Sequence, residues 1–283
     1  MARGDSRTVL VLKRICRNPI ALLGLVIIAL YVGVAVFAPW LAPYDPLGQD
    51  LSKSFAPLSA EHPMGCDEFG RDILSRVIFG ARTSLIIQVF SVLMALVVGV
   101  VLGAAGGYFG GWLDEFLMRC MDVLLAFPGI LLALAIVAVI GPDLHNLIIA
   151  IGIYSIPQFA RITRGSVITV KQNEYVTAAM AIGESHFSTI VRYVLPNAVS
   201  PIIIQTTLRM ATVLLTAAGL GFLGLGVQPP QPEWGTMLST ARMYLRSAPL
   251  VAVFPGVSIM IVVLGFNFFG DGLQDALNPR LKD

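Results

Sequence analysis

The segment EYVTAAMAIGESHFSTIVRYVLP, residues 174–196, is a polar island in a chain that is otherwise mostly apolar. Its larger apolar side chains recur at a spacing close to 3.6 residues, which predicts an amphipathic helical segment. The side chains of this stripe are Val176, Met180, Phe187, Ile190, Val191 and Val194. Gly183 falls in the same rhythm but weakens a helix by about 1 kcal/mol relative to alanine, so we expect two short helices joined there.

The composition of the chain is that of an integral membrane protein. Of its 283 residues, 56% are hydrophobic and 13% are charged, and the mean hydropathy is +0.81. Water-soluble domains carry about a quarter charged residues. A helix needs about 20 apolar residues to cross a bilayer, so the uncharged stretches predict an all-α fold with six transmembrane helices. The predicted spans lie near residues 19–41, 84–105, 118–140, 146–164, 198–222 and 250–269.

The distribution of lysine and arginine predicts the orientation of these helices. If the N-terminus is cytoplasmic, the cytoplasmic segments hold twelve of the 19 lysines and arginines, and the external segments hold six. Because positive charge accumulates on the cytoplasmic side, both termini are predicted to be cytoplasmic. The chain then consists of a cytoplasmic N-terminal segment, 1–17, and a six-helix transmembrane domain, 18–283. This domain contains an external loop, 43–82, and a cytoplasmic loop, 165–196.

Motifs of soluble-type catalysis and metal binding are missing from the sequence. It has no G-x-x-x-x-G-K-[ST] phosphate loop, and no glycine is followed directly by lysine. The three histidines and the three cysteines are scattered rather than grouped as metal ligands or placed to pair. We therefore predict no catalytic residue, no metal site and no cofactor bound by this chain.

Two interpretations of segment 174–196 fit its periodicity. It is either an amphipathic helix lying on the inner leaflet or a surface on which a partner protein docks. The first interpretation favours a basic polar face with bulky apolar anchors. The polar face here is nearly neutral, and half of the apolar side is alanine. The periodicity alone leaves both interpretations open.

The small residues of the segment resemble the EAA loop of permease subunits of bacterial ABC importers. The matching residues are Ala178, Ala179, Gly183, Leu195 and Pro196. In that family the loop forms a coupling helix that docks into a cleft of the ATPase subunit. Thr177 departs from the pattern, since glutamate is usual there, and Tyr193 replaces the usual isoleucine. The resemblance implies an ATPase-docking surface formed by Thr177, Ala178, Ala179, Ala181, Ile182, Gly183, Glu184 and Ser185.

Four further segments resemble the second permease of peptide-type importers, which carry dipeptides, oligopeptides, glutathione or nickel chelates. They are HPMGCDEFGRDILSRVIFGARTSL (62–85), MDVLLAFPGILLAL (121–134), FLGLGVQPPQPEWGTML (222–238) and FNFFGDGLQDALNPRL (266–281). The resemblance implies the type I ABC importer permease fold and a non-catalytic, multi-pass subunit of the bacterial inner (plasma) membrane that forms half of a translocation path for peptides. The alternatives are a nickel-chelate importer permease and an ion-coupled secondary transporter, which would favour internal repeats and midplane carboxylates.

The resemblance also implies the partners of the chain. A second, homologous permease would complete the path as a heterodimer. Two cytoplasmic ATPase subunits would bind ATP and magnesium, and an extracytoplasmic substrate-binding protein would deliver the substrate. Membrane lipid is a further partner, and nucleic acid is not expected.

The external loops are interpreted as a platform for that binding protein or as a solvated cap on the helix bundle. The loop 43–82 mixes turn residues with charges of both signs, and VQPPQPEWG (227–235) has too much proline and glycine to be helical. The candidate docking residues are Asp67, Arg71, Asp72, Glu233 and Trp234.

Three residues are candidates for the translocation path, namely Arg209, Pro128 and Pro157. Arg209 lies roughly 20 Å into the fifth span, where a charge costs at least about 2.5–3.5 kcal/mol. Three uses are open to it: pairing with an acidic residue such as Asp122, bracing the neighbouring permease, or attracting a peptide's terminal carboxylate. Pro128 and Pro157 predict kinks, which suit a gated path but also occur in inert bundles. Close helix packing is predicted separately for four glycines of the second span, Gly99, Gly103, Gly106 and Gly107.

Overall fold

The computed structural model describes residues 14–277, and the regular elements in this range are helical. They are α1 Pro19–Val36, α2 Ala38–Leu41, α3 Ile73–Phe109, α4 Gly111–Leu125, α5 Gly129–Ile140, α6 Leu144–Lys171, α7 Glu174–Ala181, α8 His186–Thr189, α9 Leu195–Phe222, α10 Trp234–Ala241 and α11 Leu250–Leu277. Short 3-10 turns lie at Leu51–Lys53 and Arg242–Tyr244, and a π-helical turn lies at Ile190–Val194. The predicted all-α fold is confirmed. Most of the predicted N-terminal segment 1–17 falls outside the described residues.

Four helical stretches between residues 14 and 277 are long and apolar enough to cross a bilayer. They are α1, α3, the stretch His186–Phe222 that ends in α9, and α11. A fifth results if α4 and α5, which meet at 85°, are counted as one span. The predicted span 146–164 lies within α6, which is long enough but carries polar and charged side chains at Gln158, Arg161 and Arg164. The predicted count of six therefore remains a prediction.

Helices extend into both of the long loops predicted from the sequence. α3 begins at Ile73, because the Asp72 side chain accepts a hydrogen bond from a backbone N–H of the first turn and caps the helix. Residues 73–82 of the predicted external loop 43–82 are therefore helical. α3 has 37 residues and is about 55 Å long, so it extends well beyond the ~30 Å hydrocarbon core. At the other end of the bundle, α6 continues to Lys171, so residues 165–171 of the predicted cytoplasmic loop 165–196 are helical.

The glycine face of α3 packs tightly against α6, as predicted. A Cβ atom on Gly103 would clash with the Ala160 carbonyl oxygen, and one on Gly99 would clash with the Phe159 side chain. Gly107 approaches α6 in the same way one turn further on. Only residues without a side chain allow the two helix backbones to come this close.

Buried apolar side chains form clusters along the bundle. One cluster joins α1, α3, α9, α10 and α11 around Tyr31, Trp234 and Phe266. A second lies between α3, α5, α6 and α9 around Phe159. A third, at the end of α3, joins α6, α7 and α9 around Tyr108. This third cluster supports segment 174–196.

Candidate docking and translocation sites

The helix of segment 174–196 is interrupted at Gly183, as predicted; α7 precedes the break, and α8 and the π-helical turn after it run on into α9. Gly183 follows the C-cap of α7 with φ +90°, a left-handed conformation that glycine adopts without strain. Its N–H donates to the Met180 carbonyl at 3.1 Å. The Glu184 N–H donates to the Ala179 carbonyl at 3.2 Å. This pair of bonds is the Schellman motif, which ends α7 and allows Ser185 to cap α8.

The inner side of the segment is fixed by the third buried cluster. Val176 of α7 and Val194 of the π-helical turn are fully buried beside Tyr108 at the end of α3. The Tyr108 hydroxyl oxygen lies 3.1 Å from His186 Nδ1 and 3.6 Å from Met180 Sδ. Because Tyr108 contacts both halves of the segment, the two short helices are held in one orientation.

The outer side of the segment carries most of the predicted docking residues. We call this side the outer surface; its exposed residues are Thr177, Ala178, Ala181, Ile182, Gly183, Ser185 and Phe187. Ile182 is 80% exposed and Phe187 is 77% exposed. Full burial of such a side chain by a partner contributes about 1.5–3 kcal/mol. Ala179 is buried and Glu184 is half-buried near Arg192, so these two predicted residues lie off the outer surface.

Phe187 and Val191 correct the predicted apolar stripe. The periodicity predicts both side chains on the buried face, but both are exposed. The left-handed residue at Gly183 interrupts the helix, so the 3.6-residue rhythm does not continue through it. Phe187 was missing from the predicted docking residues for the same reason.

The predicted docking residues of the external loop are buried within the chain. Arg71 Nε donates to Asp67 Oδ2 at 2.6 Å, and Arg76 Nε lies 3.4 Å from the same oxygen. Asp72 Oδ1 lies 2.9 Å from His62 Nδ1. All five side chains are buried, and buried charges persist in proteins where they are paired and hydrogen-bonded. These contacts hold the external loop onto the start of α3.

Glu233 and Trp234 are also buried. The Glu233 carboxylate accepts hydrogen bonds from the N–H groups of Gly235 and Thr236, both at 2.8 Å, and caps α10. Burial raises the pKa of the Glu233 carboxyl above its ordinary value. Trp234 Nε1 donates to the Val77 carbonyl of α3 at 3.0 Å. These two residues, with Asp67, Arg71 and Asp72, are therefore buried in the single chain, although Arg71 also lines a cleft. Their contact with a binding protein stays a prediction.

The same end of the bundle exposes a cleft of about 300 Å³ beside these buried charges. The cleft is lined in part by Glu68, Phe69, Gln231, Thr236, Met243 and Tyr244. Met243 and Phe69 are exposed apolar side chains at its rim. The proline- and glycine-rich segment 227–235 is irregular up to Glu233, as predicted, although α10 already begins at Trp234. The predicted docking residues of this region were mostly charged, whereas the exposed surface of the cleft is largely apolar.

Arg209 is buried in α9 and forms no ion pair with the described residues. Its guanidinium carbon lies 4.7 Å from the centroid of the Tyr154 ring. Nη1 donates to the Tyr154 hydroxyl at 3.5 Å and to Thr212 Oγ1 at 3.3 Å. Asp122, the acidic partner considered from the sequence, pairs with Arg161 instead. Pairing with Asp122 is therefore not the use of this charge in the structure.

Pro128 and Pro157 both lie near Tyr154. Pro128 occupies the break between α4 and α5, so the kink predicted there is a full bend of 85°. The Tyr154 ring packs so closely on Gly129 that a Cβ atom at that glycine would overlap it. Pro157 is buried in the continuous helix α6, three residues after Tyr154. Arg209 and Gly129, the residue after Pro128, thus both contact Tyr154, an aromatic side chain that the sequence analysis overlooked.

Comparison with known proteins decides the family. The model of the family described as "binding-protein-dependent transport system inner membrane component" matches residues 95–283. The chain belongs to this family. A model of the "N-terminal TM domain of oligopeptide transport permease C" matches residues 6–57. The chain is therefore an inner-membrane permease subunit of an ABC importer, which works with ATPase and permease partners.

Similar proteins agree with this assignment. The chain is 48% identical over 270 residues to a dipeptide transport system permease of Alkalihalophilus pseudofirmus, covering 95% of this chain and 89% of the relative. It is 44% identical over 271 residues to a glutathione transport system permease of Pectobacterium atrosepticum, covering 95% and 90%. The inward-facing methionine ABC transporter MetNI superposes with a TM-score of 0.59 at 17% identity, covering 73% of this chain and 98% of that chain. This likeness shows the type I ABC importer permease fold.

Proposed function

We propose that the chain forms half of a translocation path for peptides and has no catalytic activity of its own. In this proposal it pairs with a second, homologous permease as a heterodimer. Two cytoplasmic ATPase subunits bind ATP and magnesium, and an extracytoplasmic binding protein delivers the peptide. The names of the two relatives above, a dipeptide and a glutathione permease, support a peptide as substrate rather than a nickel chelate.

The outer surface of segment 174–196 is the observation that carries this proposal. Ile182 and Phe187 present large apolar side chains on either side of Gly183. The small residues Ala178 and Ala181 leave room for another protein backbone to approach. A membrane-surface helix would favour a basic polar face, and among the predicted docking residues the outer surface has no lysine or arginine.

Rigidity explains how this surface transmits movement. Tyr108 ties both short helices of the segment to α3, and the π-helical turn runs directly into α9. A displacement of the outer surface by closing ATPases is therefore passed to α3 and α9 rather than absorbed by a loose loop. These two helices extend through the bundle to the opposite, external end.

The test is the recovery of ATPase subunits with the purified permease pair. Ile182→Asp places a charge in the docking surface, and we expect it to abolish ATPase recovery and peptide uptake. Gln172→Asp is the matched control, since residue 172 is exposed at the end of α6, outside the outer surface. Normal ATPase recovery and uptake with Ile182→Asp would overturn the coupling role.

A further inference from the structure

Arg209 is a buried charge with most of its hydrogen-bonding capacity unused. It is 4% exposed, and its Nε and Nη2 atoms have no acceptor among the described residues. Arginine has five N–H donors, and these two atoms carry three of them. A buried donor without a partner is costly, so this arrangement points to a group that occupies the site at another stage of the transport cycle.

The unused atoms lie on the edge of the guanidinium group that fits a carboxylate. Nε and Nη2 point in the same direction and form a fork that can bind two carboxylate oxygens at once. Arg164 uses the same two atoms in this chain, where they bind the two carboxylate oxygens of Asp114 at 2.5 and 2.6 Å. Arg209 is held through its remaining nitrogen, Nη1, by Tyr154 and Thr212. The fork is therefore positioned, but residues 14–277 supply no acceptor for it.

The position of the fork argues against a permanent brace to another subunit. Both atoms are shielded from the surface of the chain. A partner permease in fixed contact would need them at that surface. A substrate differs from a brace, because it reaches the site only when the helices part during transport.

Further polar side chains extend from Arg209 along the facing sides of α6 and α9. Gln205 lies one turn before Arg209 on α9, and Gln158 lies one turn after Tyr154 on α6. Gln205 Nε2 donates to Gln158 Oε1 at 3.3 Å. Two successive polar contacts thus connect the helices at a depth where polar groups normally face protein or a water-filled cavity. Both glutamines are half-buried in the single chain.

Tyr154 closes the site on one side. Its ring covers the face of the Arg209 guanidinium group and packs on Gly129 at the start of α5. Gly129 directly follows Pro128 in the break between α4 and α5. Movement of α5 relative to α6 would therefore release the ring and open the site.

We propose that the Nε and Nη2 atoms of Arg209 bind the terminal carboxylate of a peptide during its passage between α6 and α9. This inference rests on the proposed function. The contact must be transient, because tight binding would slow release of the peptide.

The test measures uptake of a dipeptide and of its C-terminal amide by the complete importer in proteoliposomes. The binding protein is the same throughout, so a change in the acid-to-amide uptake ratio arises in the permease. We expect Arg209→Met to lower this ratio by about tenfold or more, as loss of a hydrogen-bonded charge implies. Arg209→Lys keeps the charge without the fork and should give an intermediate ratio.

A matched control separates recognition from structure. Arg164→Met removes the arginine that binds Asp114, and it should reduce uptake of the acid and the amide by the same factor. If Arg209→Met does not assemble, Arg209→Lys decides the question. An unchanged ratio in the assembled Arg209 variant overturns the inference alone, whereas a wild-type importer that carries neither compound overturns the proposed function as well.

Discussion

Arg164 on α6 and Asp114 on α4 form a two-point ion pair, with Nε 2.5 Å from Oδ1 and Nη2 2.6 Å from Oδ2. Asp114 also lies against Gly106 of α3, where a Cβ atom would come within 3.0 Å of Oδ1. Three helices therefore meet at this pair. The pair and the contact with Gly106 fasten the first turn of α4 to α6 and α3.

Removal of the Arg164–Asp114 pair should destabilise the permease measurably. Arg164→Ala and Asp114→Ala are each expected to lower the thermal midpoint of unfolding in detergent. The loss in free energy of unfolding should be only about 1 kcal/mol, because the pair is partly exposed. The double substitution Asp114→Arg with Arg164→Asp should recover part of the loss. The control is Arg119→Ala, which breaks an exposed pair with Glu115 on the same helix and should leave the midpoint unchanged. Equal effects at Arg164 and Arg119 would contradict this prediction.

Gly183 should be required for its backbone conformation rather than for its size. An ideal Cβ atom there meets nothing within 4 Å, but φ is +90°. Gly183→Ala therefore costs about 1–2 kcal/mol through strain, and asparagine tolerates this region better. We expect peptide uptake to be lower with Gly183→Ala than with the bulkier Gly183→Asn. Gly165→Ala is the control, since Gly165 is equally unobstructed but lies within α6. The reverse order at Gly183, with alanine tolerated and asparagine not, would mean that a partner presses on this position.

Features set by local chemistry were predictable from the sequence. The uncharged stretches located helices because a bilayer imposes a minimum apolar length. Gly183 and Pro128 marked a joint and a break, because glycine adopts a left-handed conformation without strain and proline kinks or breaks a helix. The start of α3 was also readable in principle, since aspartate is a preferred N-cap residue, but the predicted external loop ran on to residue 82.

Features that depend on distant partners were not predictable. Asp67 and Arg71 were predicted to form a charged docking surface. Asp67 is buried beside Arg76, and nothing in the sequence indicates that Arg76 donates to the Pro230 carbonyl, 154 positions away. Tyr154 gave no signal because its importance comes from contacts with Gly129 and Arg209 on two other helices. In both cases the role of the side chain depends on contacts that form only when distant parts of the chain come together.

Cys66 provides a test of both the external cap and the orientation of the chain. Its side chain is 2% exposed, and its N–H donates to the Ala56 carbonyl at 3.0 Å within the loop that precedes α3. Burial raises the pKa of the Cys66 thiol, and the neighbouring carboxylates of Asp72 and Asp67 raise it further. Because the thiolate is the reactive form, a raised pKa lowers the reactive fraction at any given pH.

We therefore expect Cys66 to resist an impermeant maleimide added to intact cells, in a background in which Cys16 and Cys120 are replaced by serine. Ala60→Cys lies in the same loop at an exposed position and should label rapidly from outside. Raising the pH should speed labelling of Cys66 only in a higher pH range than that of the introduced cysteine, and denaturation should remove the difference. Rapid labelling of Cys66 at neutral pH would contradict the buried cap. Failure of Ala60→Cys to label in intact cells, with labelling after permeabilisation, would reverse the predicted orientation.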